Sequence, residues 1–171
     1  MGLIGIQGNS ESAINRKLLL YASQHLPALI IDCANAANPH SLYPTVPFEH
    51  MNRMFVIELE LLYKFRDVLL RIPGMAKKLR VQCIVITTSD HLFNYQDKEE
   101  NQNIFRHSWE LMQSIGEKHT IVVGIRKGSL HEPFAQKYCH RLGVLDGTYR
   151  NEPAHDGRHH HERTQFLRES A

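Results

Sequence analysis

Four short runs, apolar on both faces and separated by amphipathic stretches, constrain this chain more than any other feature. Gly2-Leu3-Ile4-Gly5-Ile6-Gln7, Ala28-Leu29-Ile30-Ile31-Asp32-Cys33, residues 81–89 and residues 120–126 are almost continuously apolar, the pattern of strands buried on both sides. Between the first two, Ile14, Leu18, Leu19, Ala22 and Leu26 recur at helical spacing. Ser10 or Ser12 is placed to cap that helix, and Pro27 stops it. Residues 101–118 and 132–141 read as further helices. The broadest apolar face lies in residues 48–72, with Met51, Met54, Phe55 and Phe65 among its members, and predicts one long helix ended by Pro73-Gly74. Its methionines and phenylalanines are read as core, or as a partner surface if the sheet leaves them uncovered. Strands alternating with helices predict an α/β fold: three layers, a mostly parallel sheet with helices on both faces, and right-handed crossovers.

At 171 residues the chain has the length of one domain with a short tail. The strand–helix alternation runs through residue 142. Residues 143–171 carry charge, glycine and histidine with little apolar periodicity, and read as a loosely ordered, His-rich tail. Hydrophobic residues at 42% and charged residues at 22% exclude disorder throughout and a disulfide-dense miniprotein. The formal net charge of +2 is too small to argue for nucleic acid, so only local clustering can. No run of about 18 apolar residues occurs, and the apolar start lacks a basic flank, so the expectation is a cytoplasmic protein with no membrane partner. Cys33, Cys83 and Cys139 form no CxxC pair and read as buried thiols. In the tail, His155 and His159 are four residues apart, and His160 and His161 follow. Beside Gly157 and without a nearby cysteine or a convincing acidic ligand, the cluster reads as adventitious, and no metal site is assigned to it.

In an open parallel sheet the working groups lie beyond the carboxyl ends of the strands. At the first, Gly8, Asn9, Ser10 and Ser12 stand where backbone N–H groups and a helix dipole can hold an anion, although any strand-to-helix turn wants the same residues. A phosphate loop of the form GxxxxGK[ST] is absent. Counted from Gly8 its last three positions are Ala13, Ile14 and Asn15; counted from Gly5 they are Ser10, Glu11 and Ser12. At the third strand's end, Thr87 occupies the place of a magnesium-binding aspartate. Asp32 closes the second strand, either as a functional carboxylate or as a cap for the loop after it. Lys64, Arg66, Arg71, Lys77, Lys78 and Arg80 face one acid, Asp67, across residues 64–80. With Arg126 and Lys127 beyond the fourth strand, Lys77, Lys78 and Arg80 are the candidate DNA contacts, weighed against a solvated helix end.

Leu3-Ile4-Gly5-Ile6-Gln7-Gly8, Arg16-Lys17-Leu18-Leu19-Leu20, Leu29-Ile30-Ile31-Asp32, the stretch Val85-Ile86-Thr87-Thr88-Ser89-Asp90-His91-Leu92-Phe93 and Ile121-Val122-Val123-Gly124 follow one another in an order that resembles the RecA-like ATPases. The RadA-type recombinases and KaiC-like proteins are the members it is most similar to, over residues 2–135. The resemblance implies a P-loop NTPase fold, while the departures at the phosphate loop and at Thr87 imply loss of hydrolysis. The expectation is a non-catalytic, recombinase-paralogue-like accessory protein of recombination or repair. Its implied partners are another RecA-fold protein or itself, and DNA. No cofactor is favoured. A second reading is a nucleotide-binding regulator or weak NTPase, holding ATP and magnesium through Gly8, Asn9, Ser10, Ser12, Asp32 and Thr87 with Lys17 or Lys127 supplying charge. A third is a metal-dependent hydrolase using Asp32, Asp90 and His91.

Overall fold

A computed structural model describes residues 1–92 and 98–145. Strand β1 (Gly2–Gly8) leads into helix α1 (Glu11–Gln24) and strand β2 (Ala28–Asp32). A single 3₁₀ turn (Pro39–Leu42) and a one-turn helix α2 (Phe48–Met51) follow, then strand β3 (Met54–Glu58), helix α3 (Leu62–Leu79) and strand β4 (Cys83–Ile86). Helix α4 (Lys98–Gly116), strand β5 (Thr120–Arg126), helix α5 (Glu132–Tyr138) and strand β6 (Arg141–Val144) complete the domain. The six strands form one sheet in the order β3-β2-β4-β5-β1-β6, and every pairing is parallel.

Alternation along the strands fills two cores, as the doubly apolar runs require. Leu3, Leu29, Ile31, Ile84, Ile86, Ile121 and Val123 face α3, α4 and α5, meeting Phe65, Leu69, Ile72, Trp109 and Tyr138. Ile6, Ile30, Val85 and Val122 face α1, meeting Ile14, Leu18, Leu19 and Ala22. Gly124 permits the second contact: a Cβ there would stand 2.9 Å from both Ile14 Cγ2 and Leu18 Cδ1. The three-layer fold is therefore the one the sequence predicts.

Two elements differ from expectation. Residues 48–72 are not one helix but α2, the edge strand β3 and the start of α3. The wide apolar face merges a short apolar strand, Met54 to Ile57, with a helical segment beginning at Leu62. Pairing with β2 from Ala28↔Met54 to Asp32↔Glu58 decides the conformation of the first. Nor does Pro73-Gly74 end the helix. α3 continues to Leu79 because Phe65, Leu69, Ile72 and Ala76 are buried along it, and that packing exceeds the roughly 3 kcal/mol cost of an interior proline. The second difference is β6. It occupies residues read as the end of the last helix and the start of the tail, so the sheet crosses the expected 142/143 boundary. Gly5 makes room for it, since a Cβ there would lie 2.6 Å from Leu142 Cδ1. The histidine cluster His155–His161 lies outside the described residues.

No helix among the described residues is long and apolar enough to cross a membrane. All three cysteines are free; Cys33 and Cys83 are buried and Cys139 half-buried. Burial pushes the Cys83 and Cys139 thiols up to about 12, and burial with the neighbouring Asp32 raises that of Cys33.

Candidate functional site: the carboxyl rim of the sheet

Only Asn9 and Ser10 separate β1 from α1, too few residues to curl around a phosphate chain. Ser10 caps the helix, its Oγ accepting the N–H of Ala13 at 3.4 Å and its carbonyl that of Ile14 at 3.0 Å. The Ser12 and Ser10 hydroxyls are 3.0 Å apart. At the position a phosphate-loop lysine would hold, counted from Gly8, Ile14 is 0% exposed in the core. The helix terminus has a carboxylate of its own. Glu11, in the first turn, accepts the Thr88 hydroxyl at 2.8 Å and bonds His91 Nε2 at 2.9 Å. An anion at this terminus would meet that charge, so the dipole of α1 is already complemented from within the chain.

Asn15, at the Ser/Thr position of the same count, is buried and bonded directly to the end of β4. Its Nδ2 donates to Thr88 Oγ1 at 3.0 Å, and its Oδ1 accepts the Thr88 N–H at 3.0 Å. Asp32 is equally occupied. Oδ1 accepts the N–H groups of Ala34 (3.2 Å) and Ala36 (3.1 Å) and the Thr87 hydroxyl (3.0 Å), while Oδ2 accepts the N–H of Ala37 at 2.8 Å. Thr87 Oγ1 in turn accepts the N–H of Cys33 at 2.7 Å. Of the two roles weighed for Asp32, the geometry is that of the loop cap, and Thr87 is its partner in it.

Asp90 and His91 point apart. Asp90 Oδ2 lies 3.9 Å from Arg126 Nε, whereas His91 turns to Glu11. Burial raises the Asp90 carboxyl above its usual range, and Arg126 offsets part of that rise. Among the described residues no group of three His, Cys, Asp or Glu side chains could hold a metal, so Asp32, Asp90 and His91 are not brought together as a hydrolase would need. Sequence reasoning missed a buried pair beside them. Ser89 Oγ and His131 Nε2 are 3.1 Å apart with both residues 3% exposed. Burial pushes His131 down to about 3, so the ring is neutral, and Phe105 packs on it edge-on with centroids 4.7 Å apart. A serine and a histidine so enclosed join β4 to the start of α5; they present no nucleophile to solvent. Gln7 Nε2 donates to Glu132 at 2.6 Å, Glu132 accepts the Gly128 N–H at 2.7 Å, and the Lys127 N–H donates to Gly8 O at 2.9 Å, tying down the loop after β5. The signal for Glu11 and Asn15 was in their phosphate-loop register; nothing local marked Ser89 and His131, 42 residues apart.

The candidate DNA contacts fall into two groups. Arg126 and Lys127 lie on the carboxyl rim, after β5. Lys77 and Lys78 close α3 and Arg80 caps it at the opposite rim, just before β4, where the Gln82 N–H bonds Pro27 O at 2.7 Å. β5 has seven residues, so the groups are about 20 Å apart along the strands.

No protein-family model matches the sequence, and no curated protein matches it. Among solved structures, the fold matches that of a KaiC-like protein from the hyperthermophilic archaeon Pyrococcus horikoshii, with a TM-score of 0.60 over 84% of this chain and 70% of that one. At 9% identity the likeness is one of fold. The chain has a RecA-like fold, and its first strand-to-helix turn carries no intact phosphate loop.

Proposed function

We propose that the protein is a non-catalytic RecA-fold accessory subunit, of the recombinase-paralogue kind, that works by holding a protein partner and DNA rather than by turning over nucleotide. The partner is another RecA-fold chain or a second copy of this one. The observation that carries the reading is the replacement at the first turn: a core isoleucine where phosphoryl transfer needs a cation, with the Glu11 carboxylate at the helix terminus. Phosphoryl transfer depends on neutralising oxyanions, and Glu11 does the reverse. Lys127, whose backbone is bonded to Gly8, is what supports the second reading, a nucleotide-binding regulator. Thermal denaturation separates them. A ligand bound to the native state at 100 times its Kd stabilises by about 2.7 kcal/mol, so millimolar ATP with magnesium is expected to leave Tm unchanged. A rise of several degrees would install the regulator instead.

A further inference from the structure

We infer that the amino rim of the sheet, opposite the carboxyl rim where ligands of parallel sheets ordinarily sit, is a binding surface for the phosphodiester backbone of a nucleic acid. This deepens the DNA-holding part of the proposed function and rests on it. In an all-parallel sheet every strand starts at one end, so helix C-termini and strand entries collect there. Arg53 precedes β3, Arg80 precedes β4, Lys118 precedes β5 and Arg141 opens β6, while Lys77 and Lys78 finish α3. All are exposed. The carboxylates carried by the segments entering this rim are Glu49 and Glu117. None of the six cations makes an ion pair with a described residue, whereas on the opposite rim Arg126 stands by Asp90 and His91 by Glu11. The band crosses the sheet from β3 to β6, about 24 Å at the usual strand spacing, which suits a linear polyanion.

Helix dipoles favour cations after α3 and α4 and account for Lys77, Lys78 and Lys118 in part. They account less for Arg53, which follows the single turn of α2, and for Arg141, the third residue after α5 ends at Tyr138. They do not account for Arg80, which holds the left-handed conformation at φ 53° while its N–H closes the helix on Ala76 O and Lys77 O. Glycine is the residue that position prefers, so a long cation stands there against the local backbone preference. A membrane surface is the less suitable polyanion, because the apolar face of α3 is buried in the core and, among the described residues, no apolar helix face lies under the cations to enter a bilayer.

The test is fluorescence anisotropy of the full chain with labelled 20-mer DNA, single-stranded and as duplex, and co-sedimentation with phosphatidylserine vesicles. Four to six phosphate contacts predict an affinity that falls on the order of 10²–10³-fold between 50 and 200 mM salt. Lys77→Ala with Lys78→Ala is expected to weaken binding about tenfold or more and to flatten the logarithmic salt slope by about 2. Arg80→Gly is expected to weaken it while Tm holds or rises, which separates lost charge from lost fold. Arg126→Ala with Lys127→Ala is expected to leave it unchanged. Preference for single strand or duplex identifies which form of the backbone is held. The inference is overturned if neither DNA binds at 50 mM salt, if only vesicles bind, or if the Arg126 and Lys127 substitutions abolish binding while the amino-rim ones do not. A nucleotide-induced rise in Tm would defeat the reading of an inert carboxyl rim and leave this map standing.

Discussion

The two rims of the sheet handle polar side chains in opposite ways. On the carboxyl rim they are spent on one another: Asp32 and Thr87 on the loop after β2, Asn15 and Glu11 on Thr88, Ser89 on His131, Gln7 on Glu132. On the amino rim Arg53, Lys77, Lys78, Arg80, Lys118 and Arg141 are exposed and without ion pairs to described residues. A polar group that already has partners stabilises the fold and offers little to a ligand, since binding would first have to break those bonds. An exposed cation contributes little to the fold and keeps its charge for a partner. At the carboxyl rim, then, the polar side chains named above serve the fold.

Substitutions on the carboxyl rim are therefore expected to cost stability and those on the amino rim to cost binding. The largest effect is expected from Ile14→Lys. Restoring the lysine of a phosphate loop puts an ammonium among Leu18, Gly124 and Leu145 and should cost about 4 kcal/mol without conferring nucleotide binding. Gain of ATP-dependent stabilisation in that variant would break the comparison. Asp32→Ala strips the acceptor from the Ala36 and Ala37 N–H groups and from the Thr87 hydroxyl, and leaves the Ala34 N–H with Thr87 Oγ1 alone. A loss of about 3 kcal/mol follows, seen as a Tm lower by about 6–12 °C.

The pH dependence sharpens the same point. His131 is held at about 3 by burial, below the usual imidazole range, so the unfolded chain binds the extra proton first. Its contribution is intact above about pH 6.5 and is lost as pH falls from there toward 3, at up to about 1.4 kcal/mol per pH unit. Urea unfolding of His131→Gln between pH 7 and 4 should show a shallower acid slope than the parent, and an identical slope would place the acid sensitivity elsewhere. The smallest effect belongs to the amino rim. Lys77→Ala with Lys78→Ala should change stability by less than about 0.5 kcal/mol, and Arg80→Gly should raise it by about 0.5–1 kcal/mol by relieving the left-handed arginine. A large loss in either case would show that the amino rim too is spent on the fold.

The legibility of the sequence followed the range of the interactions. β1, β2, β4 and β5 announce themselves because both faces of each are buried, leaving runs with no polar interruption. β3 does not, because it sits at the edge with Phe55 and Glu58 exposed, and its Met-Phe-Val-Ile merges with the apolar face of α3. β6 is short, contains a glycine and pairs with β1 alone among the described strands, so nothing local distinguishes it from a loop. The missing lysine and the acidic first turn were visible by counting from Gly8 and Gly5. What replaced the phosphate loop was not: Glu11 and Thr88 are 77 residues apart, and Asp32 and Thr87 are 55 apart.

The sequence alone determined that this chain builds a doubly covered parallel sheet and that its first turn lacks the GxxxxGK[ST] phosphate loop, since both follow from residue type at fixed short spacing. The tertiary structure decided which polar groups meet, and with that the division of the basic residues between the two rims. Arg53 and Arg141 join Lys77, Lys78, Arg80 and Lys118 at one end because β3 and β6 add themselves to the two edges of the sheet, and pairing between segments far apart in sequence is not written in any local window of residues.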